Sequence, residues 1–99
     1  MAYGYTGTMR ALPGRRDEVV ALLTRDTEDL RPAGCRLYSV AISDEDADLI
    51  HVHEIWETKA QHDDSLQLPS VKAAIAEAMP MLTGEFTGVE LTVVGGLGV

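Results

Sequence analysis

Gly34-Cys35-Arg36-Leu37-Tyr38-Ser39-Val40-Ala41-Ile42-Ser43 and Leu49-Ile50-His51-Val52-His53-Glu54-Ile55-Trp56 are runs rich in β-branched and aromatic residues, separated by Asp44-Glu45-Asp46-Ala47-Asp48. Such side chains fit a pleated, half-buried surface, and a short acidic loop between two such runs reads as a hairpin. The strands Cys35–Ser43 and Leu49–Trp56 are therefore expected to be antiparallel neighbours. Side chains alternate across a strand, which puts Ile50, Val52, Glu54 and Trp56 on one face and Leu49, His51, His53 and Ile55 on the other. Neither face is plainly solvated, so both are expected to be covered.

Outward from the hairpin, Tyr3 to Leu12 alternates aromatic, Thr and Met residues and ends at Pro13-Gly14, the pattern of a strand closed by a turn. Arg15 to Leu30 carries Val19, Leu22, Leu23 and Leu30 on one helical face, and Arg31-Pro32-Ala33-Gly34 stops that helix. On the other side, Thr58 followed by Gln61 has the form of a capping box that starts a short helix from about Lys59 to Leu66. Pro69 suits the first position of a further helix, whose apolar stripe runs Val71, Ala74, Ile75, Ala78, Met79 and Leu82; Pro80 ends or kinks it and Gly84 closes it. Phe86 to Val94 alternates as a last strand, giving one domain over 3–94 and a flexible glycine-rich tail over 95–99.

The resulting βαββαβ order is the ferredoxin-like α+β arrangement, a four-stranded antiparallel sheet with helices on one face. Its other face is bare. Leu49 and Ile55 would meet water there, so the sequence predicts that a second copy packs sheet to sheet, as a homodimer.

Composition narrows the function. The chain has 99 residues, a net charge of −8 and a single cysteine, Cys35. Phosphate-backbone binders need clustered Lys and Arg, so nucleic acid is not an expected partner. No stretch approaches the roughly 20 apolar residues of a membrane span, no basic-then-apolar leader opens the sequence, and one cysteine suits a reducing compartment. The expectation is a cytoplasmic protein without membrane association, acting on a small molecule.

The stretch Gly34-Cys35-Arg36-Leu37-Tyr38, the acidic hairpin, and His53-Glu54-Ile55-Trp56-Glu57-Thr58, with a capped helix and then Pro69-Ser70-Val71, resemble the antibiotic biosynthesis monooxygenase family of dimeric α+β barrels. The resemblance runs from about Tyr3 to Val93. It implies a homodimer, a pocket in each subunit between sheet and helices, and, for some members, oxygenation of quinols or polycyclic phenols without metal or flavin. Trp56 carries over. In several active members an Asn on the first strand and a His about nine residues after the Trp complete the pocket, and the matching positions here are Gly7 and Ser65. His62 lies one helical turn before Ser65. These departures weaken heme degradation as a reading.

Oxygenation without a cofactor uses the substrate as reductant, so the protein must supply a base and a dry pocket. Glu54 is a candidate base because it shares a face with Val52 and Trp56; the plainer reading pairs it with Arg10 or Arg36. His62 is the other candidate, since imidazole passes protons near neutral pH, set against a surface histidine beside Asp63 and Asp64. Tyr3, Tyr5 and Met9 share a face of the first strand and are candidate ligand contacts with Val52 and Ser65. Trp56 offers a stacking plane and one N–H donor, or else fills the core. His51 and His53 share a face but lack a third ligand, so no metal site is assigned and both are expected in the subunit interface; no cofactor is expected. Cys35 has no activating neighbour and reads as structural. The leading function is a cofactor-independent monooxygenase acting on a quinol-like or polycyclic aromatic phenol. The alternatives are a carrier or sensor that binds without turnover, and a non-oxygenase isomerase or cyclase.

Overall fold

The computed structural model describes all 99 residues and orders them as β1 (Ala2–Ala11), α1 (Arg16–Leu23), β2 (Cys35–Ile42), β3 (Leu49–Trp56), α2 (Lys59–Ser65), α3 (Pro69–Ala78) and β4 (Leu82–Val93). The strands form one antiparallel sheet in the order β2-β3-β1-β4. The ferredoxin-like α+β arrangement is thus the observed one, with β2 and β4 at the edges.

The hairpin loop is held by arginines from outside it. Arg16 donates to the carbonyls of Ser43 (3.0 Å) and Asp46 (2.9 Å), and Arg10 pairs with Asp46 at 2.7 Å. The Ser43 hydroxyl accepts from the backbone N–H groups of Glu45 and Asp46. The acidic loop is thereby tied to α1 and β1, which fixes the register of β2 on β3.

Helix formation departs from the sequence expectation between Arg15 and Leu30. α1 ends at Leu23, and a separate 3₁₀ turn spans Thr27–Leu30. The Thr24 hydroxyl donates back to the Val20 carbonyl at 2.8 Å, a local bond that competes with the helical ladder. Asp26 then takes a left-handed conformation, φ 57°, which aspartate tolerates better than most residues. The break redirects the chain while Leu30 stays buried.

The second helical half follows the prediction closely. The Thr58 hydroxyl accepts from the Gln61 backbone N–H at 3.2 Å and donates to the Gln61 side-chain oxygen, a variant of the expected cap. That glutamine lies against Gly34, where an added Cβ would come within 2.6 Å of its amide, and Gly34 itself has φ 109°. Only glycine fits both demands. Pro80 ends α3 in a 3₁₀ turn, Met79–Met81. β4 starts at Leu82, four residues before its expected start at Phe86; Gly84 lies inside it, beside a register shift between Met9 and Ala11.

The main core lies between sheet and helices, from Ala11, Val19, Ile50, Val52, Ala78 and Met81. A smaller cluster joins Leu30, Cys35 and Trp56 at the other end. On the bare face His51 and His53 are exposed in the single chain. Ile55 is not: it is only 3% exposed, flanked in register by Gly4 and Leu37. The apolar exposure on that face comes instead from Val89 (53%) and Leu91 (42%) of β4.

Candidate functional site

Antiparallel pairing aligns residues in rows across the sheet. On the helix side one row reads Glu90, Tyr5, Glu54, Tyr38; the next towards the β3 end reads Thr92, Tyr3, Trp56, Cys35, and the opposite neighbour reads Gly88, Gly7, Val52, Val40. Above these rows, between the sheet, the end of α1, α2 and α3, lies a cavity of about 330 Å³. That is the small end of the usual range for ligand pockets.

Tyr5, Met9, Val52, Glu54, Trp56, His62 and Ser65 all line the cavity. Tyr3 does not. Its hydroxyl donates to Glu90 at 3.2 Å, and the Lys59 ammonium sits 5.5 Å from its ring, so it belongs to the outer rim despite sharing a strand face with Tyr5. Burial first, then the bond to Glu90, pushes the Tyr3 phenol above its ordinary range.

The cavity floor exists because two glycines face each other. An added Cβ at Gly88 would fall 2.2 Å from the Tyr5 hydroxyl, and one at Gly7 would meet the Thr87 carbonyl at 2.6 Å. The Tyr5 ring therefore lies over side-chain-free backbone. His62 stacks on it with centroids 5.5 Å apart and planes at 29°. The same imidazole lies 5.3 Å from the Tyr3 ring and edge-on to Trp56 at 5.8 Å. Three aromatic rings thus fix His62, and α2 turns it inward rather than to the surface: its side chain is 14% exposed. Its Nδ1 meets Asp63 Oδ1 at 3.0 Å, and that bond is the main reason the Asp63 carboxyl lies below its ordinary range. With Nδ1 engaged, Nε2 is the ring atom left for a ligand.

Glu54 is not ion-paired. Arg10 is committed to Asp46 and Glu85, both at 2.7 Å, and Arg36 to Glu57 at 2.7 Å. Its partner is the Trp56 indole, whose Nε1 donates to Glu54 Oε1 at 3.0 Å. Two expectations change with this bond. The arginine pairing of Glu54 is replaced by a neutral donor, and the Trp56 N–H is occupied instead of free for a ligand. Trp56 is moreover fully buried, packed with Leu30 and Cys35, so it is at once the back wall of the cavity and a core residue. Ser65 is also a wall without a free polar group, because its hydroxyl donates to the His62 carbonyl at 2.6 Å.

Cys35 is buried, its thiol pushed up by burial and by the Glu54 charge, and its Sγ–H points to the Leu37 carbonyl. His51 and His53 face away from the cavity, and no three His, Cys, Asp or Glu side chains converge as a metal site. Tyr38 lines the cavity and is absent from the residues the sequence singles out. Counting back from the hairpin loop would have found it, since it pairs with Glu54.

The family profile described as antibiotic biosynthesis monooxygenase matches residues 3–77. A Chloroflexus aurantiacus J-10-fl structure, named as a candidate antibiotic biosynthesis monooxygenase, is 39% identical over 97% of this chain and 96% of its own, with a TM-score of 0.86. A Mycobacterium tuberculosis structure at 18% identity covers 98% and 99% with a TM-score of 0.82. One from Nitrosomonas europaea at 12% identity covers 97% and 90% with a TM-score of 0.83. These last two show a shared fold. No protein of curated function matches the chain.

Proposed function

The chain belongs to the antibiotic biosynthesis monooxygenase family, and from that premise we propose that its cavity oxygenates a quinol-like or polycyclic phenol with dioxygen and no cofactor. The observation that carries the reading is the convergence of Glu54 and His62 on one small, largely apolar cavity floored by Tyr5. A base removes the phenol proton, and the resulting phenolate is electron-rich enough to reduce dioxygen. The carbon para or ortho to the oxyanion forms a C–O bond to give a hydroperoxide. Loss of the proton on that carbon, with departure of the distal oxygen as water, leaves a quinone. In total, one phenol and one dioxygen give one quinone and one water.

Glu54 and His62 divide the proton work. Glu54 accepts the phenol proton while Trp56 Nε1 steadies the carboxylate, and His62, oriented by Asp63, relays a proton at Nε2 to the departing oxygen. Apolar walls from Val52, Met9 and Leu22 exclude water around the anion.

The functional unit we propose is a homodimer that closes on the bare sheet face, where Val89 and Leu91 are exposed beside Thr6, Gly4 and His53. No helix is long and apolar enough to cross a membrane, and the lone cysteine favours the cytoplasm as the place of action.

Oxygen uptake with a panel of hydroquinones and naphthols tests the activity. The expected result is one dioxygen consumed per quinone formed, unaffected by a chelator. Tight binding of the panel with no uptake would replace this reading with that of a carrier, and product without uptake would replace it with an isomerase.

A further inference from the structure

Tyr38 is unexplained by anything above. It pairs in register with Glu54, packs against both hydrophobic clusters and lines the cavity. Its hydroxyl makes none of the side-chain hydrogen bonds of the chain, yet no polar side-chain atom sealed from solvent lacks a partner. The hydroxyl is therefore not sealed from solvent, and the residue that carries it is part of the cavity wall. A rigid ring with an unpaired donor beside a carboxylate is a built recognition element, because leaving such a donor unmet in an occupied pocket costs free energy.

The charges around it restrict what it can recognise. Arg25, the cation on the cavity rim, is committed to Glu77 at 2.5 Å, so no free cation faces Glu54. An anionic ligand would meet the Glu54 carboxylate with no lysine or arginine free to offset it, only the His62 imidazole. An ether could accept from Tyr38 and give nothing back to Glu54. A hydroxyl does both.

We propose that Tyr38 and Glu54 form a donor–acceptor pair that reads one hydroxyl of a flat, uncharged aromatic ligand. The Tyr38 O–H donates to the ligand oxygen, and the Glu54 oxygen not engaged by Trp56 accepts from the same ligand hydroxyl. Burial, reinforced by the Glu54 charge, pushes the Tyr38 phenol up to about 12, so it remains a donor throughout the neutral range. The inference deepens the reading of the cavity as a phenol site and rests on it, but it concerns binding and is independent of turnover.

Anaerobic calorimetric titration with naphthol, methoxynaphthalene and naphthoate tests it on the wild type, Tyr38→Phe and Glu54→Gln. The wild type is expected to bind naphthol about 10-fold more tightly than the methyl ether, the size of one good hydrogen bond, and naphthoate most weakly. Tyr38→Phe, which keeps the ring, should weaken naphthol and its methyl ether alike by about 10-fold; Glu54→Gln, which turns an amide N–H toward the ligand while its oxygen accepts from Trp56, should erase the naphthol preference over the ether and bring naphthoate up to the level of naphthol. The melting temperature of each variant shows whether it is folded. Undiminished naphthol affinity in folded Tyr38→Phe overturns the proposal, as does an undiminished preference over the ether in folded Glu54→Gln, equal binding of all three probes by the wild type, or no binding at millimolar concentration. If the preference holds while oxygen uptake fails, oxygenation falls and this pair stands; if uptake persists while the preference is absent, the reverse is true.

Discussion

On β3, Val52, Glu54 and Trp56 look toward the helices, while His51, His53 and Ile55 look away from them. The helix side buries Ile50, Val52 and Trp56 almost completely and still keeps a 330 Å³ cavity above Glu54. The other side has no helix over it, and it leaves Val89 and Leu91 half in water. The two faces come from the same strands, so strand chemistry does not separate them. What separates them is where bulk is missing: Gly7 and Gly88 hollow the helix side under Tyr5, whereas Gly4 on the bare side lets Val93 and Leu91 close over it, with added-Cβ distances of 3.1 and 3.4 Å respectively. A hollow face suits a ligand. A filled, gently apolar face suits a second protein surface.

The largest expected effect tests the bare face. Leu91→Asp should convert the proposed dimer to a monomer in light scattering, because two symmetric copies each lose about 1.5–3 kcal/mol of apolar burial; a dimer surviving at micromolar concentration would mean that this face does not close the assembly. Next, Glu54→Gln should cut turnover by about 10²–10⁴-fold, the usual weight of a general base, with dimer mass and melting temperature little changed because the amide oxygen still accepts from Trp56. Unaltered turnover would move the base to His62. Trp56→Phe should reduce stability by about 1–3 kcal/mol in chemical denaturation, as expected of a core residue, and also weaken naphthol binding, because the same ring walls the cavity. Loss of stability alone would assign Trp56 to the core only.

The smallest effect concerns acid. Asp46, hydrogen-bonded by Arg10, Glu57 by Arg36, Asp63 by His62 and Glu90 by Lys59 all lie below their ordinary values, which are 3.8 for Asp and 4.5 for Glu. Carboxylates depressed in the folded state stabilise it above their unfolded values and lose that contribution as pH falls through the folded ones. Glu57, Asp63 and Glu90 are exposed and Asp46 is only half-buried, so the decline is small. Melting temperature should be level with respect to these four groups above about pH 5 and fall gently below it, and high salt should shrink the change. An increase in stability on acidification would contradict the pairings.

The hairpin strands and their faces are legible because alternation with period two survives any tertiary context that buries one side. The end of α1 is not, since Leu22, Leu23 and Leu30 keep helical spacing across a break that depends on the Thr24 hydroxyl and the left-handed Asp26. The start of β4 is hidden for a similar reason: Gly84 reads as a helix stop, yet its positive φ serves a register shift within a strand. In the site, Glu54, Trp56 and His62 are legible because strand parity and one capped helical turn bring them together. Tyr3 and Tyr5 cannot be told apart by parity, and only the glycines opposite Tyr5 decide which ring goes inward. Tyr38 required a register count across two strands.

The glycine floor also bears on how such a protein can acquire new ligands. Gly88 lies on β4, an edge strand, and takes no part in the proposed proton transfers, yet a single methyl group there would displace the Tyr5 ring and with it the platform beneath His62. The shape of the cavity and its reactive groups are therefore encoded on separate strands. Selection acting on the edge can resize the binding space in one mutational step while Glu54 and its tryptophan partner, two strands inward, remain untouched, so a lineage can change what it binds without first giving up how it reacts.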